Sequence, residues 1–545
     1  VSLNIAQTLT ESARVLGDQV GLIEAASGTR LSFRELARRS DSYAHLLRKK
    51  GIEPGARVML MVKLSADFIC LSFALFKIGA PVILIDPGMG YKNLLRCIEG
   101  VRPAVFIGIP KAHLFRVLFR KPFATVKHSI CCGKSFGLFG PDISKQAQHD
   151  YGDYPTYKAT SDDLAAIIFT TGSTGPPKGV RYEHSIFQAQ LRLIRDYYGI
   201  GPGQVDQPAF PLFALFSTAL GATAVIPDMD PTRPAKVNPL HFVESIEKYG
   251  VTYSFGSPAI WNVISRYCSE KDRRLKTLNK VLMAGAPVSG ELISRMQKVL
   301  QPEASIHTPY GATESLPIVS IEGEEIVGTT WQYTRLGKGT CVGRPLPGIE
   351  IAILPISDTV IPSFKRESFL ETDSIGEIIV RGDVVTRAYE NNDKENQMAK
   401  IQEGNTFWHR MGDVGYLDKE GRLWFCGRRA HRVVTESKNG METLFTIPCE
   451  AIFNNHPDVF RSALVGVRDG DNRTFPVMII EPEKESSMAA SQLLIEMKEL
   501  GKNEPLTAKI DHYLVHLDFP VDIRHNAKIF REKLSAWAAT ELKGI

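Results

Sequence analysis

Residues 169–180 read "FTTGSTGPPKGV", a run of threonines, serine, glycines, prolines and one lysine between apolar flanks. Glycines let backbone amides turn inward, the hydroxyls of Thr170, Thr171, Ser173 and Thr174 add donors, and Lys178 adds a positive charge. Those are the parts of a phosphate cradle. The spacing is not that of a Walker loop, because Pro177 rather than a glycine precedes the lysine. Taken alone, the stretch reads equally well as a solvent-exposed turn.

A cradle needs elements to hold it. Between residues 30 and 310 short β-branched runs, "VMLMV" (58–62), "PVILI" (81–85), "AVFIGI" (104–109), "LAAIIF" (164–169), "VTYSF" (251–255) and "KVLMA" (280–284), alternate with amphipathic stretches such as 33–50 and 288–300. That rhythm predicts α/β layers with largely parallel strands, and ligands usually bind at the loops that follow such strands. A helix is expected to start near Tyr182, directly after the loop. From about Gly343 the pattern changes to short strands with turn signals, "GIEIAIL", "GEIIVRG" and "GRLWFCG", which suits a more antiparallel, barrel-like region. "GRRAHR" (427–432) reads as a hinge. Beyond it, "RSALVGV" and "FPVMIIEP" read as strands, and 489–499 and 528–542 as helices. The expected organisation is therefore a large domain over 1–427 and a small α+β domain over 428–545.

Composition narrows the function classes. With 545 residues, 43% of them hydrophobic and 23% charged, the chain can bury a large core. Sixty-five basic against sixty acidic side chains leave +5, too little to suggest nucleic-acid binding. The first residues lack a signal-peptide pattern, and the apolar run 68–85 is broken by Lys77, Gly79 and Pro81, so it reads as a buried helix, a turn and a strand. Eight scattered cysteines without a C-x-x-C pair suit free thiols, and the expected location is the cytoplasm.

Downstream of the loop, "PLFALF" (211–216), "MAGAP" (283–287), "YGATES" (310–315), "GEIIVRG" (376–382), "WHRMGDVGYLDKEGRLWFCGR" (408–428) and "AKIFREKL" (527–534) follow in that order. Together with the loop they resemble the adenylate-forming superfamily of acyl-CoA synthetases, luciferases and peptide-synthetase adenylation domains, over nearly the whole chain. The resemblance implies joining of a carboxylate to the α-phosphorus of ATP, release of pyrophosphate, and displacement of AMP by an acceptor. It also implies roles. Thr170, Thr171, Ser173, Thr174 and Lys178 match the loop that holds the β- and γ-phosphates. Tyr310 matches the residue stacked on adenine, with Gly285, Ala286 and Pro287 on the other side of the base. Thr313 is expected at the α-phosphate, and Glu314 is expected to hold Mg²⁺, a hard cation suited to carboxylate oxygen. Asp413 matches the ribose-binding carboxylate, and Arg428 an arginine near ribose and phosphate. Lys528 matches the lysine that reaches the α-phosphate and the substrate carboxylate, with Lys533 the weaker candidate.

The chain also departs from that pattern. Ala430 stands where most relatives carry aspartate or lysine at the pivot, "TESKNGMETLF" lengthens the loop over 435–445, Ala214 replaces a frequent histidine, and Ala527 replaces the glycine before the C-terminal lysine. "RRAHRVVTESKNG" and "DIRHNAKIFREKLSAW" resemble most one branch, the β-lactone synthetases of bacterial long-chain olefin biosynthesis. That branch implies a long-chain 2-alkyl-3-hydroxy acid as substrate, whose own 3-hydroxyl expels AMP. A long-chain acyl-CoA synthetase and a catalytically inactive ATP-binding scaffold are the competing readings. His431 and His525 are near the hinge and lysine motifs, and read more readily as exposed hinge histidines than as a base. Finally, residues 111–134 carry six lysines or arginines and no acid among apolar residues. They read as a lip against membrane lipid, as a docking face for other enzymes of olefin biosynthesis, or as a solvated cover of the core.

Overall fold

The computed structural model describes residues 3–170, 176–437, 440–471, 473–484, 486–521 and 528–542, and the alternation between residues 30 and 310 forms two sheets in it. In a six-stranded sheet the strands run His128–Cys131, Val105–Gly108, Val58–Met61, Val82–Leu84, Leu164–Phe169 and Gly179–Glu183, all parallel except the last pair. A fourteen-stranded sheet has a parallel part, in which Ser305–Ala312, Lys280–Met283, Tyr253–Gly256, Val205–Asp206, Thr223–Ile226 and Val20–Glu24 are neighbours in that order. Its other part is antiparallel, through Ser315–Glu322, Thr340–Pro345, Leu423–Arg428, Thr406–Leu417, Gly376–Arg381 and Glu350–Leu354. Strands from Val433 onward pair only among themselves among the described residues.

Local sequence explains the elements. Helix Phe33–Lys49 starts at Ser32, whose side chain accepts from the Glu35 amide while Glu35 answers the Ser32 amide, a capping box of about 1 kcal/mol. The run 68–85 becomes helix Ala66–Ile78, a left-handed Gly79 and the strand Val82–Leu84, with nearly every side chain of the helix buried. Lys77 lies inside that helix and is ion-paired to Asp41, as a buried cation must be. Among the described residues no helix is long and apolar enough to cross a membrane. All eight cysteines are free and buried.

Three elements differ from expectation. The phosphate-type loop leads into the strand Gly179–Glu183, not a helix, and helix His184–Tyr198 follows. The reason is a period of two: Val180 and Tyr182 point inward, while Arg181 points to Glu390 at 2.9 Å. The C-terminal helix begins at Arg531 rather than 528, because Ile529 bridges Val521 and the Phe530 amide bonds the Pro520 carbonyl. The lengthened stretch over 435–445 is an antiparallel hairpin, Val433–Ser437 against Gly440–Leu444. The terminal unit is α+β, with Val459–Arg468, Thr474–Pro482 and His512–Val515 in a sheet flanked by helices Thr446–Phe453, Ala490–Asn503 and Arg531–Leu542.

Candidate active site

The carboxyl ends of the parallel strands place the first group. Strand Lys280–Met283 runs out into Gly285, Ala286 and Pro287, and its neighbour Ser305–Ala312 carries Tyr310. Ala312 pairs with Ser315, so Thr313 and Glu314 form the tip of a two-residue hairpin. The Tyr182 hydroxyl donates to the Thr313 carbonyl at 2.5 Å, and Thr386 donates twice to the Glu314 carbonyl, which fixes the tip. Gly285, Ala286, Pro287, Tyr310, Thr313 and Glu314 line one cavity of about 1660 Å³.

Antiparallel pairing supplies the second group. Asp413 and Arg428 are directly opposite on Thr406–Leu417 and Leu423–Arg428. The Tyr310 hydroxyl donates to Asp413 Oδ2 at 2.5 Å, and Arg428 lies 2.9 Å from Oδ1. Burial raises the Asp413 carboxyl above the usual carboxylate range, with the Arg428 charge pulling it back. Burial and then the Asp413 charge push the Tyr310 phenol far up. The Asp413 charge in turn makes Arg428 hold its proton more tightly. Gly427 is required here: its φ is +129°, and a Cβ would come within 2.3 Å of Thr446 Oγ1 where the next helix begins.

At the loop, Thr170 and Lys178 close the stem. The Thr170 amide bonds the Lys178 carbonyl at 3.0 Å, and the Lys178 amide bonds Thr170 Oγ1 at 3.3 Å. Thr171, Ser173 and Thr174 lie outside the described residues. The Lys178 ammonium is 2.5 Å from Glu395 Oε2 and 5.3 Å from the centre of the Tyr389 ring. Tyr389 donates to Glu314 Oε1 at 2.8 Å. Close by in charge, the buried Lys400 donates to the Thr386 carbonyl, and burial lowers its ammonium to about 7 against the pull of Glu314 and Glu183.

From the C-terminal unit, Lys528 and Arg531 reach the same cavity, alongside Arg428, Ala430 and His431. Lys533 is not among the lining residues; it is exposed, with its ammonium 4.8 Å from the Phe530 ring centre. His525 and Ala527 lie outside the described residues. His431 is shielded rather than exposed, its side chain only 10% accessible and 3.4 Å from Glu532. Burial and then the Arg531 charge lower its imidazole to about 4, so it is neutral at pH 7 and a weak base. Ala214 is fully buried in the core and does not line the cavity.

A pocket that joins an aromatic–carboxylate–arginine cluster, a hairpin-tip carboxylate and lysines from the loop stem and the C-terminal unit matches what nucleotide chemistry needs. Residues 9–390 match the model of the AMP-binding enzyme family. This chain belongs to that family. Over 99% of its length it is 42% identical to an olefin beta-lactone synthetase of Xanthomonas campestris, covering 98% of that protein, and 41% identical to one of Stenotrophomonas maltophilia, covering 99%. An amide bond synthetase from Marinactinospora thermotolerans has the same fold, with a TM-score of 0.81 at 20% identity, over 99% of this chain and 100% of that one.

In this AMP-binding enzyme much of the remaining cavity wall is apolar. Phe210, Leu212, Phe213, Phe216, Phe255 and Ile260 line it, Phe213 stacked on Phe255 with centroids 3.5 Å apart. Its volume exceeds the roughly 300–1,000 Å³ of ordinary small-molecule sites, which leaves room for a long hydrocarbon beside a nucleotide. Sequence reasoning missed Tyr389, Glu395, Lys400 and Arg531. Glu395 is 217 residues from Lys178, and nothing in its flanks, "NNDKENQ", marks it as a counter-ion. Arg531 lies inside the quoted motif "AKIFREKL" and was passed over in favour of its lysines.

Proposed function

We propose that this enzyme activates a long-chain 2-alkyl-3-hydroxy acid with ATP and closes it to a β-lactone. The observation that carries the reading is the continuity of the nucleotide cluster with a large apolar cavity, in a chain similar end to end to olefin beta-lactone synthetases. In this reading residues 1–427 bind ATP and acid, and 428–545 form the lid that brings Lys528. A carboxylate oxygen attacks the α-phosphorus and pyrophosphate leaves. The 3-hydroxyl oxygen then attacks the acyl carbon and gives up its proton to water, and the bond from that carbon to the AMP oxygen breaks, its electron pair leaving with AMP.

Each residue has a part in this. Tyr310 with Gly285, Ala286 and Pro287 sandwiches adenine, Asp413 takes the ribose hydroxyls, and Arg428 adds charge beside them. Thr170, Thr171, Ser173, Thr174 and Lys178 hold the β- and γ-phosphates, while Thr313 donates to the α-phosphate. Lys528 stabilises the charge that shifts as the carboxylate attacks. Glu314 would hold Mg²⁺. A single protein carboxylate fits that ion, which usually takes one or two carboxylates and completes its shell with substrate phosphates and water. Mg²⁺ supplies charge neutralisation on the phosphates.

A tethered hydroxyl can contribute about 7–11 kcal/mol of barrier lowering through proximity, so no thiol is needed for the second step. The hairpin Val433–Ser437/Gly440–Leu444 and Ala430 are where the chain departs from the pattern of thioester-forming relatives, a departure in keeping with a second step that uses no CoA. The test is product analysis with a 3-hydroxy acid, ATP and Mg²⁺, with and without CoA. A β-lactone, AMP and pyrophosphate in equal amounts, unaffected by CoA, are expected, whereas a plain fatty acid should give pyrophosphate exchange without sustained turnover. Rapid CoA-dependent consumption of the plain acid would make the protein an acyl-CoA synthetase, and no pyrophosphate from either acid would make it a scaffold.

A further inference from the structure

We propose that helix Pro110–Leu118 and its neighbours form a docking surface for an anionic lipid bilayer, through which the oily acid of the proposed reaction enters the cavity. The helix is two-sided. Ala112 and Phe115 face inward and line the cavity, with Lys111 at its edge. About a quarter to one half turn from the direction midway between those two, Leu114 (53% exposed), Val117 (40%) and Leu118 (68%) face solvent. A single helix thus separates the cavity from water with apolar side chains on both faces.

Two flanking segments extend the outer face. Phe136 and Leu138 protrude almost fully, at 96% and 81%, and their loop is tied to the helix by Phe139 stacked on His113, centroids 5.1 Å apart. Tyr91, 57% exposed, stacks on Phe119 at 6.3 Å, and Phe119 packs on Phe115 at 4.8 Å, which connects the outer surface to the cavity wall. Isolated exposed apolar residues need no explanation, but a contiguous group of this size marks an interaction site.

Charge decides the occupant. Residues 91–134 hold nine lysines and arginines against one glutamate, more positive charge than the net +5 of the entire chain. Lys92, Arg96, Lys111, Arg120, Lys121 and Lys134 are exposed around the apolar tips, and the one acid, Glu99, is 3.3 Å from Lys121. Protein interfaces deplete lysine at an apolar core. Apolar tips that enter an acyl layer while lysines and arginines meet phosphate headgroups are the arrangement of a bilayer-surface segment. A substrate with two alkyl chains partitions into that layer, and the helix places the cavity directly behind it.

The test is co-sedimentation of the full chain with phosphatidylglycerol/phosphatidylcholine vesicles, without ATP or acid, so that its outcome does not depend on lactone chemistry. Wild type should bind these vesicles at least about tenfold more tightly than pure phosphatidylcholine, and lose that preference in about 0.5 M salt. Leu114→Ser/Leu118→Ser/Phe136→Ser and, separately, Arg120→Glu/Lys121→Glu/Lys134→Glu should each weaken binding at least about tenfold. Both should keep wild-type pyrophosphate exchange with a short, water-soluble acid and lose rate only when a long acid is presented in vesicles. Baseline sedimentation of wild type, as expected if the surface instead takes a protein partner, overturns the proposal. So does unchanged vesicle binding by both variants.

Discussion

Tyr310, Asp413 and Arg428 are tied to one another by a hydrogen bond and an ion pair, whereas beside them in the same cavity Lys178 and Glu314 are engaged by Glu395 and Tyr389. Asp413 and Arg428 are on adjacent strands, where cross-strand register alone puts them opposite each other, and Tyr310 reaches them from the strand Ser305–Ala312 of the same sheet. A base and ribose arriving there meet groups whose positions are fixed in advance. The second set comes from a loop stem, a hairpin tip and helix Asp393–Ala399, and in the proposed roles its internal ion pair would be exchanged for phosphate. Preorganisation in the first half and exchange in the second predict different signs for mutations. Removing a partner from the first should weaken ATP binding; removing the internal counter-ion from the second should strengthen it.

The largest effect belongs to neither half. Lys528 lines the cavity from the C-terminal unit, and in the proposed role its charge would matter most as negative charge shifts during attack on the α-phosphorus. Lys528→Ala should slow adenylate formation about 10²–10³-fold while nucleotide affinity changes little. Lys533→Ala should keep the wild-type rate, since Lys533 is outside the cavity. Single-turnover pyrophosphate release separates the two; a reversed result would transfer the role to Lys533.

The phosphate half also hides a strained charge. Lys400 is buried with its ammonium lowered to about 7, while in the unfolded chain it titrates near 10.4. Between those values the unfolded state binds the extra proton, so this group's contribution to stability rises with pH by up to about 1.4 kcal/mol per unit. Lys400→Met lacks that slope. Denaturant unfolding at pH 6, 7, 8 and 9 should show the variant at its best relative to wild type at pH 6, with the difference moving in wild type's favour above pH 7. Parallel curves would mean that Lys400 titrates as an ordinary lysine.

In the base-and-ribose half, Asp413→Ala should raise KM for ATP by about tenfold with a smaller effect on kcat, the signature of binding shared by ground and transition states. It leaves Tyr310 and Arg428 without their acceptor. Asp413→Asn, which still accepts from Tyr310, should fall between the two. Unchanged nucleotide affinity in both variants would detach this cluster from ATP altogether.

The halves also differ in how far the sequence reveals them. Tyr310, Asp413 and Arg428 are legible through the motifs "YGATES" and "WHRMGDVGYLDKEGRLWFCGR", and only beside Arg428, in "GRLWFCG", does the strand pattern speak as well. The antiparallel switch after Gly343 and the C-terminal α+β unit follow from turn signals and period. What was illegible depends on long-range pairing. Glu395 meets Lys178 only because helix Asp393–Ala399 folds back over the loop stem, and Tyr389 meets Glu314 across 75 residues. The strand Gly179–Glu183 was read as the start of a helix because five residues are too few for a period of two to outweigh the amphipathic run that follows. His431 became a shielded residue through Glu532, a contact across 101 residues.

Glu395 gives the sharpest test of the contrast because it predicts a gain. Its carboxylate and the Lys178 ammonium are about one-third exposed, so the pair is partly screened and of the order of 0.2–1 kcal/mol. Any triphosphate that takes Lys178 must first break that pair. Glu395→Gln keeps the side-chain shape and removes the charge, so KM for ATP should fall by about two- to fivefold, while the affinity for AMP, which lacks the β- and γ-phosphates, should stay the same. The ionic-strength dependence of KM should also flatten, since part of it in wild type comes from loosening the internal pair. Equal gains for AMP and ATP would place Glu395 in the base-and-ribose half instead. A rise in KM would mean that Glu395 helps to position Lys178 for phosphate and that both halves of the site are preorganised.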